Sequence, residues 1–113
     1  MNWIGRYVSD RASALVKCEG TDSARITITW SGSAWEQAEW EIVGKLDLEA
    51  RTIQYSGATK KIVVSDENGP KSEDVEYTDG TGTIVFGEGL TFTWHEDQAD
   101  REKDVTFEWL LQR

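Results

Sequence analysis

The sequence predicts an all-β protein, an antiparallel up-and-down meander of about eight to ten strands closed into a barrel. Apolar and polar residues alternate one by one in short segments, most clearly over 25–30, 90–95 and 105–111. Successive side chains of a strand point to opposite faces, so this period of two predicts strands with one dry and one wet face. Turns rich in glycine, aspartate, serine and asparagine separate the segments, and no segment has helical spacing of apolar residues.

Five strands are predicted in the first half of the chain. Apolar residues occupy alternate positions, as do Ile26 and Ile28 in the third strand and Trp40 and Ile42 in the fourth. The polar stretch 47–51 predicts a hairpin turn before the fifth strand. The five segments are 3–8, 12–18, 25–30, 38–46 and 51–55.

Five further strands are predicted in the second half. The dipeptides Asn-Gly at 68–69 and Asp-Gly at 79–80 tolerate the positive φ of tight turns, and Gly-Glu-Gly at 87–89 predicts a tight hairpin. The longest polar interruption, 95–104, contains five acidic residues and no apolar stripe, which predicts a solvated loop. The five segments are 60–65, 74–77, 82–86, 90–95 and 105–111.

Most of the tryptophans are predicted to lie in the core. Four of the six, Trp30, Trp40, Trp94 and Trp109, are in phase with neighbouring apolar residues. Inward-facing indoles supply a large buried area to a small barrel, provided that each N–H finds a hydrogen-bond partner. The predicted core comprises Ile26, Ile28, Trp30, Trp40, Ile42, Phe86, Leu90, Phe92, Trp94, Phe107 and Trp109.

The chain is predicted to form a single β-barrel domain over residues 1–113, since its length suffices for a core and it contains no linker or repeat. The formal net charge is −9, from 21 acidic and 12 basic residues. A surface of this sign repels phosphate backbones and anionic lipid headgroups, so we expect no binding to nucleic acid. No segment is long and apolar enough for a transmembrane helix, so we expect no membrane insertion of this domain.

No catalytic residues are predicted. His95, the only histidine, lies on the polar face of a predicted strand, and a Ser/His/Asp or Cys/His arrangement would have to be built around it. Glycoside hydrolysis would need paired carboxylates, but Glu39 and Glu41 share the polar face opposite Trp40 and are interpreted as solubilising charges. The chain is therefore predicted not to be an enzyme.

No metal or cofactor site is predicted. One cysteine and one histidine do not make a zinc site, and the oxygen-rich segments 66–68 and 96–100 lack the spacing of a calcium loop. Cys18 is in phase with Ala14 and Val16, which predicts a small buried side chain. A single cysteine also excludes an intramolecular disulfide.

Three aromatic residues, Trp35, Tyr55 and Tyr77, are the candidate ligand-binding residues. Trp35 follows a turn-like Ser-Gly-Ser-Ala segment and is out of phase with Trp40, which predicts a position on a loop or rim. An indole there can stack on a sugar or a partner surface, or it can plug one end of the barrel. Tyr55 and Tyr77 are each in phase with an apolar neighbour, which predicts rings in the core and hydroxyls at the rim.

Short motifs spread over nearly the whole chain are similar to those of one group of bacterial domains. The motifs are Gly5-x-Tyr7, Arg11-Ala12, Ile28-x-Trp30, Trp40, Lys60-Lys61, Asp79-Gly80-x-Gly82 and Leu90-x-Phe92-x-Trp94. They resemble uncharacterised small β-barrel domains of secreted proteins and lipoproteins of gut-associated bacteria. The resemblance implies a calycin-like barrel of the lipocalin and avidin type. It also implies an extracytoplasmic location, secreted or lipid-anchored at the cell surface.

The expected function is that of a non-enzymatic extracytoplasmic binding or interaction domain for a small molecule or a protein. An interior lined by many indoles is full, so a small-molecule site is expected at the barrel mouth near Trp35. The alternative is a structural or protein-partner module, such as an inhibitor, with an exposed apolar patch or an open strand edge. A hydrolase, the least favoured class, would need carboxylates or His95 gathered in one cleft.

Overall fold

The computed structural model describes residues 4–9, 12–20, 22–32, 35–47, 49–87, 91–97 and 105–109. These residues form eight strands: β1 (Gly5–Val8), β2 (Ala12–Glu19), β3 (Ser23–Ser31), β4 (Glu36–Asp47), β5 (Thr52–Asp66), β6 (Gly69–Gly87), β7 (Thr91–Glu96) and β8 (Val105–Trp109). Within these ranges, no helix has the length and apolar character needed to cross a bilayer.

The eight strands form an antiparallel meander closed into a ring. Each strand pairs with the next one in sequence, and β8 pairs with β1 through Tyr7↔Trp109 and Val8↔Glu108. The period of two is visible in the burial of β3, where Ala24, Ile26 and Ile28 are buried and the residues between them are not. The prediction of an all-β antiparallel meander is therefore confirmed.

The strands β5 and β6 are longer than predicted, because each contains two of the predicted segments. The predicted turn at 79–80 is wrong, since Gly80 lies within β6 opposite Ala58. A Cβ at Gly80 would lie 2.8 Å from the ring of Tyr77 and 3.1 Å from the Ala58 Cβ. The glycine therefore allows close cross-strand packing, and register shifts on either side of Ala58 take up the irregularity.

The β5–β6 hairpin turns at residues 67–68, which agrees with the turn predicted from the Asn-Gly dipeptide. Asp66 pairs with Gly69, and the Asp66 Oδ1 accepts a hydrogen bond from the Asn68 backbone N at 2.8 Å. Gly69 has a φ of 113°, a conformation that side-chain-bearing residues rarely adopt. Glycine at this position thus lets the chain re-enter the sheet directly after the turn.

Aromatic side chains fill the interior of the ring. Phe92 stacks on Phe107 with centroids 4.7 Å apart, and Tyr7 meets Phe92 edge-on at 4.9 Å. Trp40 and Trp94 form a second edge-to-face pair, also at 4.9 Å. Such geometries suit the ring quadrupoles, and each ring removes a large apolar area from water. Buried as predicted are Ile26, Ile28, Trp40, Ile42, Phe86, Phe92, Trp94 and Phe107.

The other members of the predicted core differ from this group. Trp30 is partly buried and packs against the core, and Leu90 lies outside the described residues. The prediction for Trp109 is wrong, because this side chain is 37% exposed. Trp109 ends β8, and its indole lies where a side chain of Gly5 would be. It therefore packs against the start of β1 instead of filling the interior.

Cys18 is exposed, so the prediction that it is buried is wrong. Alternate residues of β2 are buried only as far as Val16, and Lys17, Cys18 and Glu19 are all exposed. The end of the β2–β3 hairpin therefore extends beyond the core, and strand phase alone no longer determines burial there.

Candidate functional site

The interior of the ring contains a buried carboxylate, Glu96, which is fully inaccessible to solvent. Tyr55 donates its hydroxyl hydrogen to Glu96 Oε1 at 2.7 Å, and Tyr77 donates to Oε2 at 3.0 Å. The indole N–H of Trp94 donates to the Tyr55 hydroxyl at 2.9 Å, and that of Trp40 to the Tyr77 hydroxyl at 2.8 Å. These five side chains form the Glu96 network.

Strand periodicity places Glu96 inside the ring. Phe92, Trp94 and Glu96 occupy alternate positions of β7, and all three are buried. The prediction of a solvated loop over 95–104 is therefore wrong at its second residue. Continuing the period of two from Phe92 and Trp94 finds Glu96, but the acidic composition of the segment hides this signal.

Glycines in β6 make room for the two tyrosines of the Glu96 network. A Cβ at Gly82 would fall against the carbonyl oxygen of His95 and the phenol of Tyr55. Gly80 provides the same clearance for the ring of Tyr77. The motif Asp-Gly-x-Gly at 79–82 thus serves internal packing, and the hydroxyl of Tyr55 lies inside the core instead of at the predicted rim.

Burial raises the pKa of both tyrosine hydroxyls in the Glu96 network. For Tyr55 the main cause is loss of hydration, followed by the hydrogen bond to Glu96. For Tyr77 loss of hydration again dominates, and it outweighs the opposing hydrogen bond from Trp40. Both hydroxyls therefore remain protonated donors at neutral pH. Every buried side-chain polar atom in the described ranges has a hydrogen-bond partner, which is typical of a structural polar network.

The structure brings two of the three predicted binding residues together and separates the third. Tyr55 and Tyr77 meet at Glu96 inside the ring. Trp35 is 53% exposed, and its backbone carbonyl accepts a hydrogen bond from the Ser65 N at 2.7 Å, at the far end of β5. Gly44, which pairs with Tyr55, lies nine residues from Trp35, or roughly 30 Å along the strand. A ligand-binding role for each residue stays a prediction.

The outer face of β3, β4 and β5 carries ion pairs around a shallow cleft. Arg25 contacts Glu19 at 2.9 Å and Glu41 at 2.6 Å. Lys61 contacts Glu39 at 3.7 Å, which agrees with the interpretation of Glu39 and Glu41 as polar-face charges. The cleft has a volume of about 430 Å³ and is lined by Thr27, Glu39, Trp40, Glu41, Thr59, Lys61 and Val75.

Among the described strands, the first half of β6 has a partner on one side only. Residues 69–78, here called the β6 edge, pair with β5, whereas no other described strand pairs with them. From Gly82 onward β6 also pairs with β7, which has six residues against nineteen in β6. Val75 at the centre of the β6 edge is 60% exposed. This edge was missed by the sequence analysis, because segment 74–77 was predicted as a separate short strand.

The β6 edge is acidic. Residues 69–78 include Glu73, Asp74 and Glu76 but only one basic residue, Lys71. Lysines of β5 contact two of these acids, Lys61 at 2.8 Å from Glu73 and Lys60 at 2.7 Å from Glu76.

Lys60 and Lys61 differ in accessibility. The Lys60 Nζ lies 4.8 Å from the centroid of the Trp40 ring, and its side chain is only 15% exposed. The Lys61 side chain is 38% exposed. Lys61 is therefore the more accessible of the two cations beside the β6 edge.

Side chains suited to metal binding are not assembled in the described part of the chain. No three His, Cys, Asp or Glu side chains there are placed to hold a metal ion. His95 lies on the outer side of β7 with Nε2 3.3 Å from Asp97 Oδ1, and it points away from Glu96, its neighbour in the strand.

No protein-family model matches this chain, and neither does any curated protein or solved structure. Function is therefore inferred from the geometry of the chain itself.

Proposed function

We propose that this chain is a non-enzymatic protein-interaction domain that binds an extended segment of a partner protein along the β6 edge. The observation that carries the proposal is that residues 69–78 pair with β5 but with no second described strand. Such an edge presents a row of backbone N–H and C=O groups to which another strand can add. An exposed apolar side chain, Val75, lies at the centre of this row.

The filled interior supports a surface site over an internal one. Lipocalin-like carriers hold their ligand inside the barrel, where space must remain between the side chains. Here Trp40, Trp94, Phe92 and Phe107 pack against one another inside the ring. The closed eight-stranded meander supports a calycin-like architecture, but one used as a scaffold for the β6 edge.

We also propose an extracytoplasmic location, which the resemblance to domains of secreted proteins and lipoproteins supports. Cys18 offers a direct test, because it is exposed and is the only cysteine. A membrane-impermeant maleimide should label Cys18 on intact cells, whereas a Cys18→Ser variant should remain unlabelled. Labelling that requires cell lysis would overturn the proposed location.

An edge-blocking proline tests the proposed function. Along a strand, neighbouring backbone N–H groups alternate between the two sides, so Ser72 and Val75 donate in opposite directions. The variants Ser72→Pro and Val75→Pro each remove one of these N–H groups. The variant that removes the N–H facing away from β5 should keep the wild-type melting temperature, because no β5–β6 hydrogen bond is lost. That variant is the edge-blocked variant, and the matching alanine substitution, which retains the N–H, is its control.

A library of displayed ten-residue random peptides is then selected on the wild-type protein. We expect enriched peptides to bind the wild type and the alanine control but not the edge-blocked variant. Hydrogen exchange provides a second readout that needs no variant, because bound peptide should protect amides within 69–78. Peptides that bind the edge-blocked variant equally well, or protection confined to other strands, would contradict the proposal.

A further inference from the structure

We infer that the segment recognised by the β6 edge is cationic and extended, with basic side chains beside Glu73 and Asp74 and an apolar side chain beside Val75. The inference rests on the proposed function, and it adds the chemistry of the partner.

The charge of the β6 edge favours a basic occupant over a second copy of this chain. Residues 69–78 carry three acids and one lysine, and the whole chain carries a net charge of −9. Two copies pairing edge to edge would bring these acids together, and directly opposed like charges on neighbouring strands are destabilising. A basic segment gains attraction during approach and after pairing.

The side chains of a strand added to the β6 edge would lie alternately on the two faces of the sheet, and each would neighbour the edge side chains on its own face. Glu73 and Val75 lie on the outer face, because their register partners Val63 and Lys61 oppose Gln37 and Glu39 in β4. Asp74 lies on the opposite face.

A segment with two consecutive basic residues next to an apolar residue matches this arrangement. Cross-strand neighbours lie about 5 Å apart, so an apolar residue beside Val75 would extend over the outer cleft. Basic residues on either face would reach Glu73 and Asp74. The partner is therefore expected to carry charge on both faces and apolar character on one.

Proline sets the length of the recognised segment. Pro70 has no backbone N–H, and register shifts leave Lys71 and Glu76 without register partners in β5, so an added strand could pair along residues 71–78 with an interruption at Glu76. Eight residues span roughly 26 Å of strand, which a segment of six to eight residues would match.

Substitution of Lys61 tests this inference, because it predicts whether the affinity for a basic segment rises or falls. Its Nζ lies 2.8 Å from Glu73 and 3.7 Å from Glu39, so it competes with an incoming cation for the same carboxylate. Replacing Lys61 by glutamine removes the competing cation, so that Glu73 can form an ion pair with a basic residue of the partner. Binding of a basic segment should then tighten, which a merely structural role of Lys61 does not predict.

The probe is an eight-residue peptide in which a central valine is flanked on each side by two consecutive lysines and the remaining positions are threonine, compared with the same peptide carrying glutamate in place of lysine. Binding is measured for the wild type, the edge-blocked variant, Lys61→Gln and the double variant Glu73→Gln/Asp74→Asn. We expect the basic peptide alone to bind the wild type, with affinity about three- to tenfold lower for the double variant. Affinity should rise for Lys61→Gln, and higher salt should weaken binding throughout.

The outcomes separate this inference from the function on which it rests. If both peptides bind equally and the edge-blocked variant binds neither, the β6 edge is an interaction site but its partner is not cationic. If the basic peptide binds the edge-blocked variant as well as the wild type, its binding is nonspecific attraction and the proposed use of the edge is wrong. Failure of the basic peptide to bind the wild type overturns the inference. So does self-association that the edge-blocked variant abolishes, since the occupant is then a second copy.

Discussion

Residues 69–78 and 82–87 belong to the same strand and share the neighbour β5, but only residues 82–87 also pair with β7. Residues 82–87 are here called the closed half of β6. In this half, Gly82, Ile84 and Phe86 are buried in alternation. In the β6 edge the residues from Pro70 to Glu76 are all exposed. One strand thus provides a part of the core over residues 82–87 and, over residues 69–78, an edge with which no second described strand pairs.

The comparison shows how the ring can be stable while one edge stays open. The aromatic pairs of the core lie outside the β6 edge, and the Glu96 network extends into the edge only through Tyr77, so most contacts that stabilise the ring do not involve the edge. Charges, a proline and a register shift beside Glu76 characterise the open half, and all three discourage indiscriminate strand pairing.

Hydrogen exchange should show the largest difference between the two halves. Amides of the β6 edge that face away from β5 have no partner strand in the described structure, and should exchange almost as fast as in an unfolded chain. Amides of 82–87 should exchange only when the ring opens, at least about 10³-fold more slowly. The measurement is residue-resolved exchange by NMR, and equal protection in both halves would contradict the open edge.

Truncation of one apolar side chain in each half of β6 should show the next largest difference, this time in the free energy of unfolding. Ile84→Ala removes a fully buried side chain and is expected to lower the free energy of unfolding by about 2–5 kcal/mol. Val75→Ala removes an exposed one and should change it by no more than about 0.5 kcal/mol. Urea denaturation of both variants checks the prediction. A large loss for Val75→Ala would mean that the β6 edge is covered.

Alkaline pH should destabilise the closed ring through its tyrosines. Loss of hydration raises the pKa of Tyr7 to about 12, from an ordinary value near 10. The unfolded chain therefore releases its proton first, so this contribution is complete below pH 10 and is lost as the pH rises towards 12. Its loss amounts to about 2–3 kcal/mol, and the raised pKa values of Tyr55 and Tyr77 act in the same direction.

Urea titrations at pH 9 and 11 capture about half of this loss, roughly 1.4 kcal/mol for Tyr7, and Tyr7→Phe should show a smaller loss. Stability that does not fall between these pH values would contradict the buried state of the hydroxyls.

Substitution by alanine should lower the stability of the fold at Glu96 but not at Glu73. Glu96→Ala leaves the hydroxyls of Tyr55 and Tyr77 without their buried acceptor, and should cost about 1–3 kcal/mol or more. Glu73→Ala, on the exposed edge, should be nearly neutral for folding. Thermal unfolding followed by circular dichroism compares them. Equal effects would show that Glu96 is not the acceptor of the network.

The smallest effect is expected on the outer face of the ring. Arg25→Ala breaks two ion pairs, with Glu19 and Glu41, that are solvated on the surface. Water and salt screen such pairs, so the unfolding midpoint should hardly move. A clear loss of stability in this variant would indicate a coupled network instead of independent surface pairs.

Much of the fold could be predicted because alternation is a local property of the chain. Ile26 and Ile28, or Phe92 and Trp94, face inward for the same reason in any sheet, since successive side chains point to opposite faces. The errors occur where strands end. Cys18 and Trp109 keep the phase of buried neighbours but lie at the end of a hairpin and at the end of β8, where the core no longer covers them.

The sequence by itself thus determined the strand content, the polar and apolar faces, and the greater part of the core. Only the tertiary structure decided that Glu96 joins Tyr55 and Tyr77, because these residues come from three neighbouring strands and meet only when those strands pair in this register. The open β6 edge is likewise a tertiary property. Among the described residues, it arises because β6 has nineteen residues and its neighbour β7 has six, and this difference in length becomes visible only when the strands are paired.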